Sequence, residues 1–374
     1  MFTGFDELTI IIPTVSRPKF VLRQHKYWGM SDANVVILDG ANEPIEIPES
    51  LRHKNVRYIH TGTRFNDRLA TAGKLITTRY AALLCDDEFF AFGGLRAAID
   101  RLNRDPQVIG CVGRSLFFFV DQGRFLLAHA YRDWKPFSPA AQTLHSRLQE
   151  DLPPNKTHKA QFAVMRTPEW ISIFENSYRQ FFSSGYTYER LINLQRTILG
   201  RTEILDDLFW FRSMENPPIS SENVPRTGKG EFVRWARSPE YQEEVKFYRA
   251  TARQLLIDGG VAPQDVKVFE ERFFLGGVER QEAKQQRLVR RFNRRFRSFV
   301  FAWSPRKFRL FAKRYFSNRL LRIFGWQGFT IGEMYHSLNG LGTRFVEREI
   351  EIIGRLSLET AAELQLEREK QHDQ

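Results

Sequence analysis

The chain has 374 residues, enough for one to three domains, and 42% apolar with 27% charged residues excludes a disordered or fibrous protein. Two cysteines exclude a disulfide scaffold; Cys85 and Cys111 have no zinc-ligand spacing and read as small buried residues in a reducing compartment. The formal charge of +12 is uneven, because 14 Lys or Arg and no Asp or Glu fall between Ala283 and Gly332 while the remainder is close to balance.

The first residues, Met1 to Glu7, do not read as a secretory leader. The longest apolar runs, Phe117–Val120 and Phe299–Trp303, are far shorter than the roughly 20 residues of a membrane-spanning helix.

Leu8–Ile12 is a β-branched run stopped by Pro13, as in a buried parallel strand. Arg17 to Tyr27 predicts a helix, with Ser16 as its cap and Pro18 in its first turn. Val35–Leu38 predicts a second strand, ended by Asp39-Gly40, and Val56–His60 a third. Asn66–Ile76 has helical spacing, and Tyr80–Cys85 is a fourth strand that runs into Asp86-Asp87-Glu88. Gly94–Asn103 follows as helix and Val108–Val112 as strand. This alternation predicts an α/β sandwich around a mainly parallel sheet. Residues 121–165, with Pro136, Pro139, Pro153 and Pro154, read as a long irregular insertion. Thr187–Leu199 returns to helix, closed by Gly200, and helices dominate from about Gly228.

In such sheets ligands bind at the carboxyl ends of the strands, where Pro13-Thr14, Asp39 and Asp86–Glu88 all fall. Carboxylates one residue apart at a strand end offer hard oxygen ligands to a divalent cation, and such a cation can neutralise a diphosphate leaving group. An acidic turn after a strand would look the same, so the surrounding motifs have to decide.

Leu8 to Pro18, reading L-T-I-I-I-P-T-V-S-R-P, resembles the opening strand and loop of family 2 glycosyltransferases. Val35 to Gly40 is similar to their second strand with its terminal Asp, and Asn66 to Glu88 to the helix and strand that lead into their D-x-D. The bacterial subgroup whose strand ends in D-D-D-F is the nearest in pattern, with Glu88 in place of the third Asp. The resemblance covers roughly residues 8–110. It implies a GT-A fold over 1–228, followed by a helical region over 229–374.

By the same resemblance Pro13, Thr14, Arg17 and Arg68 line the nucleotide, and Asp39 reads the base edge. Asp86 and Glu88 form the D-x-D pair that holds Mg²⁺ or Mn²⁺, with Asp87 between them beside the donor. Glu189, Arg196 and Gly200 resemble the layout in which a helix carries the catalytic base, with Tyr188 where the family often has an acid. Such a base must reach the acceptor hydroxyl, and Glu189 is the first candidate for it. Asp207, of the pair Asp206-Asp207, is the second. His60 reads as a hydrogen-bonded structural histidine, and His129, His145 and His158 lack ligand spacing.

Over 284–326, Leu288, Phe292, Phe296, Phe299, Val300 and Trp303 recur at helical spacing among Arg290, Arg291, Arg294 and Arg295, and a second stripe follows Pro305. Aromatic and cationic faces of this kind suit helices lying on an anionic membrane surface, at about 1 kcal/mol per basic residue. Packing on the catalytic domain would also explain the stripes; nucleic acid is disfavoured, since no nucleic-acid module is legible. Phe345–Leu364 predicts an amphipathic helix rich in Glu, for homodimer contact or for folding back.

With these faces, the resemblance implies a cytoplasmic enzyme on the inner face of the cell membrane, in bacterial surface polysaccharide or glycolipid synthesis. It would take a nucleoside diphosphate sugar as donor and a glycan or lipid-linked acceptor. A non-catalytic binding protein on the same scaffold is the alternative that Glu88 keeps open. A nucleotidyltransferase is a third, though no Gly-rich, lysine-bearing phosphate loop follows the first strand.

Overall fold

The computed structural model describes residues 1–121, 123–130, 137–152, 160–214, 231–276, 278 and 343–372. The basic stretch 284–326, with Arg290, Arg291, Arg294, Arg295 and Trp303, lies outside the described residues.

The strands are β1 (Leu8–Thr14), β2 (Asn34–Asp39), β3 (Val56–His60), β4 (Tyr80–Leu83), β5 (Phe89–Phe90), β6 (Val108–Asp121), β7 (Arg124–His129), β8 (Val164–Arg166) and β9 (Arg201–Ser213). The helices are α1 (Pro18–Trp28), α2 (Phe65–Thr71), α3 (Phe92–Arg104), α4 (Leu144–Asp151), α5 (Thr167–Tyr178), α6 (Gly185–Leu199), α7 (Glu231–Arg237) and α8 (Gln242–Asp258). A helix α9 over 263–276 follows, and α10 (Thr343–His372) ends the described chain.

One nine-stranded sheet runs in the order β3-β2-β1-β4-β8-β6-β9-β5, with β7 pairing β6. Its first half is parallel, β3 on β2, β2 on β1 and β1 on β4; β1, β2 and β4 are buried as their near-continuous apolar runs require, and β3 is the half-exposed edge strand. The second half is mixed: β8 runs antiparallel to both β4 and β6, while β6 and β9 pair in parallel over most of their length. The α/β sandwich is as expected. Helix α10 contacts both α1 and α3 on one side, and α2, α5 and α6 form the other layer, on which α4 and α8 pack.

Two local expectations need correction. Ser16 does not cap α1: it adopts φ 53°, and the cap position falls to Arg17, which makes no side-chain cap bond. Pro18 does open the helix at its first position. The stretch 121–165 is less irregular than its prolines suggest. It contains β7, which returns on β6 after a turn with Gly123 at φ 69°, then α4 and β8.

Strand β9 carries a bulge. Ile204 pairs Val112 and Leu208 pairs Arg114, so Leu205, Asp206 and Asp207 stand opposite the single residue Gly113. A Cβ on Gly113 would collide with the Asp207 carbonyl, so only glycine lets the strands approach there.

Candidate functional site

Strands β1 and β4 are neighbours in register, with Ile11 opposite Leu83. Three residues further on, the chains leave the sheet side by side at Thr14 and Asp86. The Thr14 hydroxyl donates to Asp86 Oδ2 at 2.6 Å, and Arg17 Nη1 donates to Asp86 Oδ1 at 2.6 Å. The other guanidinium nitrogen, Nη2, reaches Asp87 Oδ2 at 3.2 Å. The positive φ at Ser16 is the bend that returns Arg17 over the acidic turn.

Beneath the turn, α1 satisfies the backbone. Gln24 Nε2 donates to the carbonyls of Asp86 and Glu88, each at 2.8 Å, and Arg23 Nη2 donates to that of Asp87 at 2.8 Å. Gln24 Oε1 in turn accepts from Trp28 Nε1 at 2.8 Å. Sequence reasoning missed both residues. The available signal was Gln24 standing four residues from Phe20 and from Trp28, a polar residue on an apolar stripe.

The three acids face different ways. Asp86 is wholly buried. Glu88 is nearly so; its Oε2 accepts from Trp210 Nε1 at 2.8 Å, and Arg212 lies 3.6 Å from its Oε1. Asp87 keeps 13% of its side-chain surface exposed. Burial pushes the Asp86 carboxyl up to about 7 against the opposing pull of Arg17, and the Glu88 carboxyl up to about 8, with the Asp87 charge adding to the rise. Cys85 Sγ and carboxylate oxygens of Asp87 and Glu88 lie within 4.8 Å of one another. The expected Asp86–Glu88 pair is therefore not what the side chains form. Asp86 is engaged by Thr14 and Arg17, and Asp87 with Glu88 makes the grouping that could hold a cation.

The β2 tip is built differently from expectation. Asp39 is wholly buried, and its oxygens accept from the Ala41 amide at 2.9 Å and from the Tyr58 hydroxyl at 2.7 Å. Burial and this carboxylate push the Tyr58 hydroxyl up to about 12. Tyr58 also accepts from the Ile45 amide at 2.7 Å. Asp39 thus shapes the 41–45 loop, with no open edge left to read a base. His60 Nε2 bonds the Ala41 carbonyl at 2.7 Å, the structural role expected of it.

Arg68 is buried as well. Its Nη1 donates to the carbonyls of Thr14 and, at 3.1 Å, of Leu38, tying the β1 and β2 tips together. A Cβ on Gly40 would strike this guanidinium. Pro13 is buried within β1, paired with Leu38. Between the two tips lies an open cleft of about 580 Å³ lined by Ser16, Pro18, Leu22 and 41–46. That is within the usual size range of small-molecule sites.

Glu189 is half-buried on α6. Burial raises the Tyr178 hydroxyl, and the charge of Glu189 adds to this, which puts Glu189 within electrostatic reach of Tyr178. Tyr188 is a fastener: its hydroxyl accepts from Asn66 Nδ2 at 2.6 Å and from the Phe182 amide at 2.7 Å. Arg196 is buried and donates to Asp151 at 2.6 Å. Asp207 is exposed on the β9 bulge and takes no part in the Cys85–Asp87–Glu88 grouping, while Asp206 beside it accepts from Arg114 Nε at 2.6 Å.

No family model and no curated protein matches the chain. It is similar to solved structures of S. aureus TarS. Against TarS 1–349 in complex with UDP the TM-score is 0.46 at 14% identity, covering 94% of this chain and 88% of that one. Against TarS 1–349 in complex with UDP-GlcNAc it is 0.45 at 13% identity, with the same coverage. Against a longer TarS chain it is 0.38 at 14% identity; 69% of this chain is matched, and it spans 44% of that one.

Proposed function

We propose that the chain is a glycosyltransferase of the GT-A kind, which moves a sugar from a nucleoside diphosphate sugar to a hydroxyl of a glycan or lipid-linked acceptor. One observation carries this reading. At the tips of parallel strands the Thr14 hydroxyl, the Arg17 guanidinium and the carboxylates of Asp86 and Asp87 meet, and Ser16 and Pro18 on either side of Arg17 line an open cleft of about 580 Å³. The cleft suits a nucleoside, with Pro18, Leu22 and Ile45 as apolar walls.

Asp87 and Glu88 fit a divalent cation of the Mg²⁺ or Mn²⁺ kind, which needs only one or two carboxylates when substrate phosphates complete its shell. Bound there, the cation would offset charge on the leaving diphosphate. Thr14, Gln24 and Arg23 hold the turn rigid, so the carboxylates need not reorganise when the donor arrives. Glu189 is the residue on α6 that would accept the proton of the attacking hydroxyl.

A panel of nucleoside diphosphate sugars, assayed for release of nucleoside diphosphate, tests the reading. Asp87→Ala is expected to lower that release by roughly 10²-fold or more. Release of pyrophosphate in its place would identify a nucleotidyltransferase. Binding without turnover of any donor would leave a non-catalytic scaffold.

A further inference from the structure

Arg17 stands where an external cation would be expected. Its guanidinium spans two neighbouring carboxylates, at 2.6 Å from Asp86 and 3.2 Å from Asp87, and rests 4.1 Å from the centre of the Phe20 ring. A planar fork of donors suits that double contact, whereas an ammonium would not span it. The two bonds differ in surroundings. Asp86 is wholly buried with its second oxygen taken by Thr14, so its bond to Arg17 is fixed. Asp87 is partly exposed, the Arg17 contact to it is the longer one, and the same carboxylate belongs to the grouping with Cys85 and Glu88. One carboxylate is therefore asked to serve two cations. A guanidinium and a divalent ion a few ångströms apart repel, and a single partly exposed carboxylate does not screen them from each other.

We infer that Arg17 is a built-in competitor of the divalent cation for Asp87: it holds that carboxylate while no nucleotide is bound and gives it up when a diphosphate turns Nη2 away, the guanidinium pivoting on its bond to Asp86. The inference rests on the nucleoside diphosphate reading of the site. It makes metal binding and nucleotide binding mutually favourable, since each removes the obstacle to the other and the coupling is reciprocal. It also gives a reason for the left-handed Ser16, whose bend brings Arg17 back over the turn instead of out along α1.

The test is a Mn²⁺ titration of the full chain without nucleotide, read from the electron paramagnetic resonance signal of free Mn²⁺. Arg17→Gln is expected to bind Mn²⁺ at least roughly tenfold more tightly than the parent, the weight of one charge-assisted hydrogen bond. Arg17→Lys, which keeps the charge and loses the fork, falls between the two. Thermal melts establish that each variant is folded, and if Arg17→Gln is not, Arg17→Lys decides alone. Adding UDP, GDP or ADP in turn is expected to tighten Mn²⁺ binding to the parent far more than to Arg17→Gln. Equal Mn²⁺ affinity of parent and variants without nucleotide overturns the inference, as does absence of Mn²⁺ binding to all of them. Failure of the donor reading is a separate result: none of the three nucleotides binds the parent, with or without Mn²⁺, while the nucleotide-free comparison still decides whether Arg17 competes.

Discussion

Three carbonyls in a row, those of Asp86, Asp87 and Glu88, are met by two adjacent side chains of α1, and Gln24 supplies two of the three bonds. Both carbonyls it serves lie in a buried turn, so removing the amide leaves two acceptors without a donor and frees Trp28 Nε1 as well. Gln24→Leu is expected to cost about 2–6 kcal/mol, from roughly 1–3 kcal/mol for each of the two buried carbonyls left unsatisfied. A urea midpoint measures it, and a loss under about 0.5 kcal/mol, the usual range for surface substitutions, would show that water replaces the amide. The acids and Arg17 were legible because the order strand, Pro-Thr, Arg-Pro and then strand, Asp-Asp-Glu is local pattern. Arg23 and Gln24 were not, because their partners are backbone atoms more than 60 residues away, and a helix stripe says which face is buried without saying against what. Asp39 misled for a related reason. Its place at a strand tip was right, but the residue that claims its carboxylate, Tyr58, belongs to the next strand.

Among the elements, three of the parallel strands were readable because burial on both faces demands near-continuous apolar runs, and β1, β2 and β4 have them, while β3 at the sheet edge buries only Val56. Strand β9 was not read as a strand: Asp206-Asp207 interrupts its apolar run at the bulge, and the bulge is visible only in the pairing with β6. Strand β5 is two residues long and has no pattern of its own. Helix α3 shows a different long-range debt. Its cap position is Ala91, which has no side-chain acceptor, and the amides of Phe92 and Gly93 donate instead to Glu349 of α10, at 3.0 and 3.3 Å. Burial pushes the Glu349 carboxyl up to about 7 from 4.5, against the opposing pull of those two amides. A carboxyl that holds its proton more tightly in the fold than in the open chain makes the fold lose stability as pH rises between the two values, here from 4.5 to about 7. Glu349→Gln keeps the shape and removes the titration. The melting temperature of the parent is therefore expected to fall relative to the variant across that interval, and two parallel curves would remove Glu349 from the account.

At the scale of the whole molecule, the sequence left α10 two uses, dimer contact or folding back, and within the chain the helix is folded back. The helix lies on α1 and α3 and buries Ile350, Ile353 and Leu356. Around these, Lys19 pairs Glu367 at 3.0 Å and Lys26 pairs Glu359 at 3.1 Å, with both glutamates well exposed. The two kinds of contact differ in weight. Ile353 is wholly buried, and truncating such a side chain costs about 2–5 kcal/mol. An exposed ion pair such as Lys19–Glu367 is worth under about 1 kcal/mol and is screened by salt. Docking of α10 is thus an apolar event, with the charges setting its direction along α1. Because α1 also carries Arg23 and Gln24 and begins next to Arg17, a loosened α10 should be felt at the acidic turn. Ile353→Ala is expected to lower stability by about 2–5 kcal/mol and to weaken donor binding, whereas Lys19→Ala leaves stability within about 1 kcal/mol of the parent. Urea unfolding and nucleotide titration of both variants measure this. Equal losses for the two would mean that charge holds the helix down, and unchanged donor affinity in Ile353→Ala would mean that α1 keeps its place without α10.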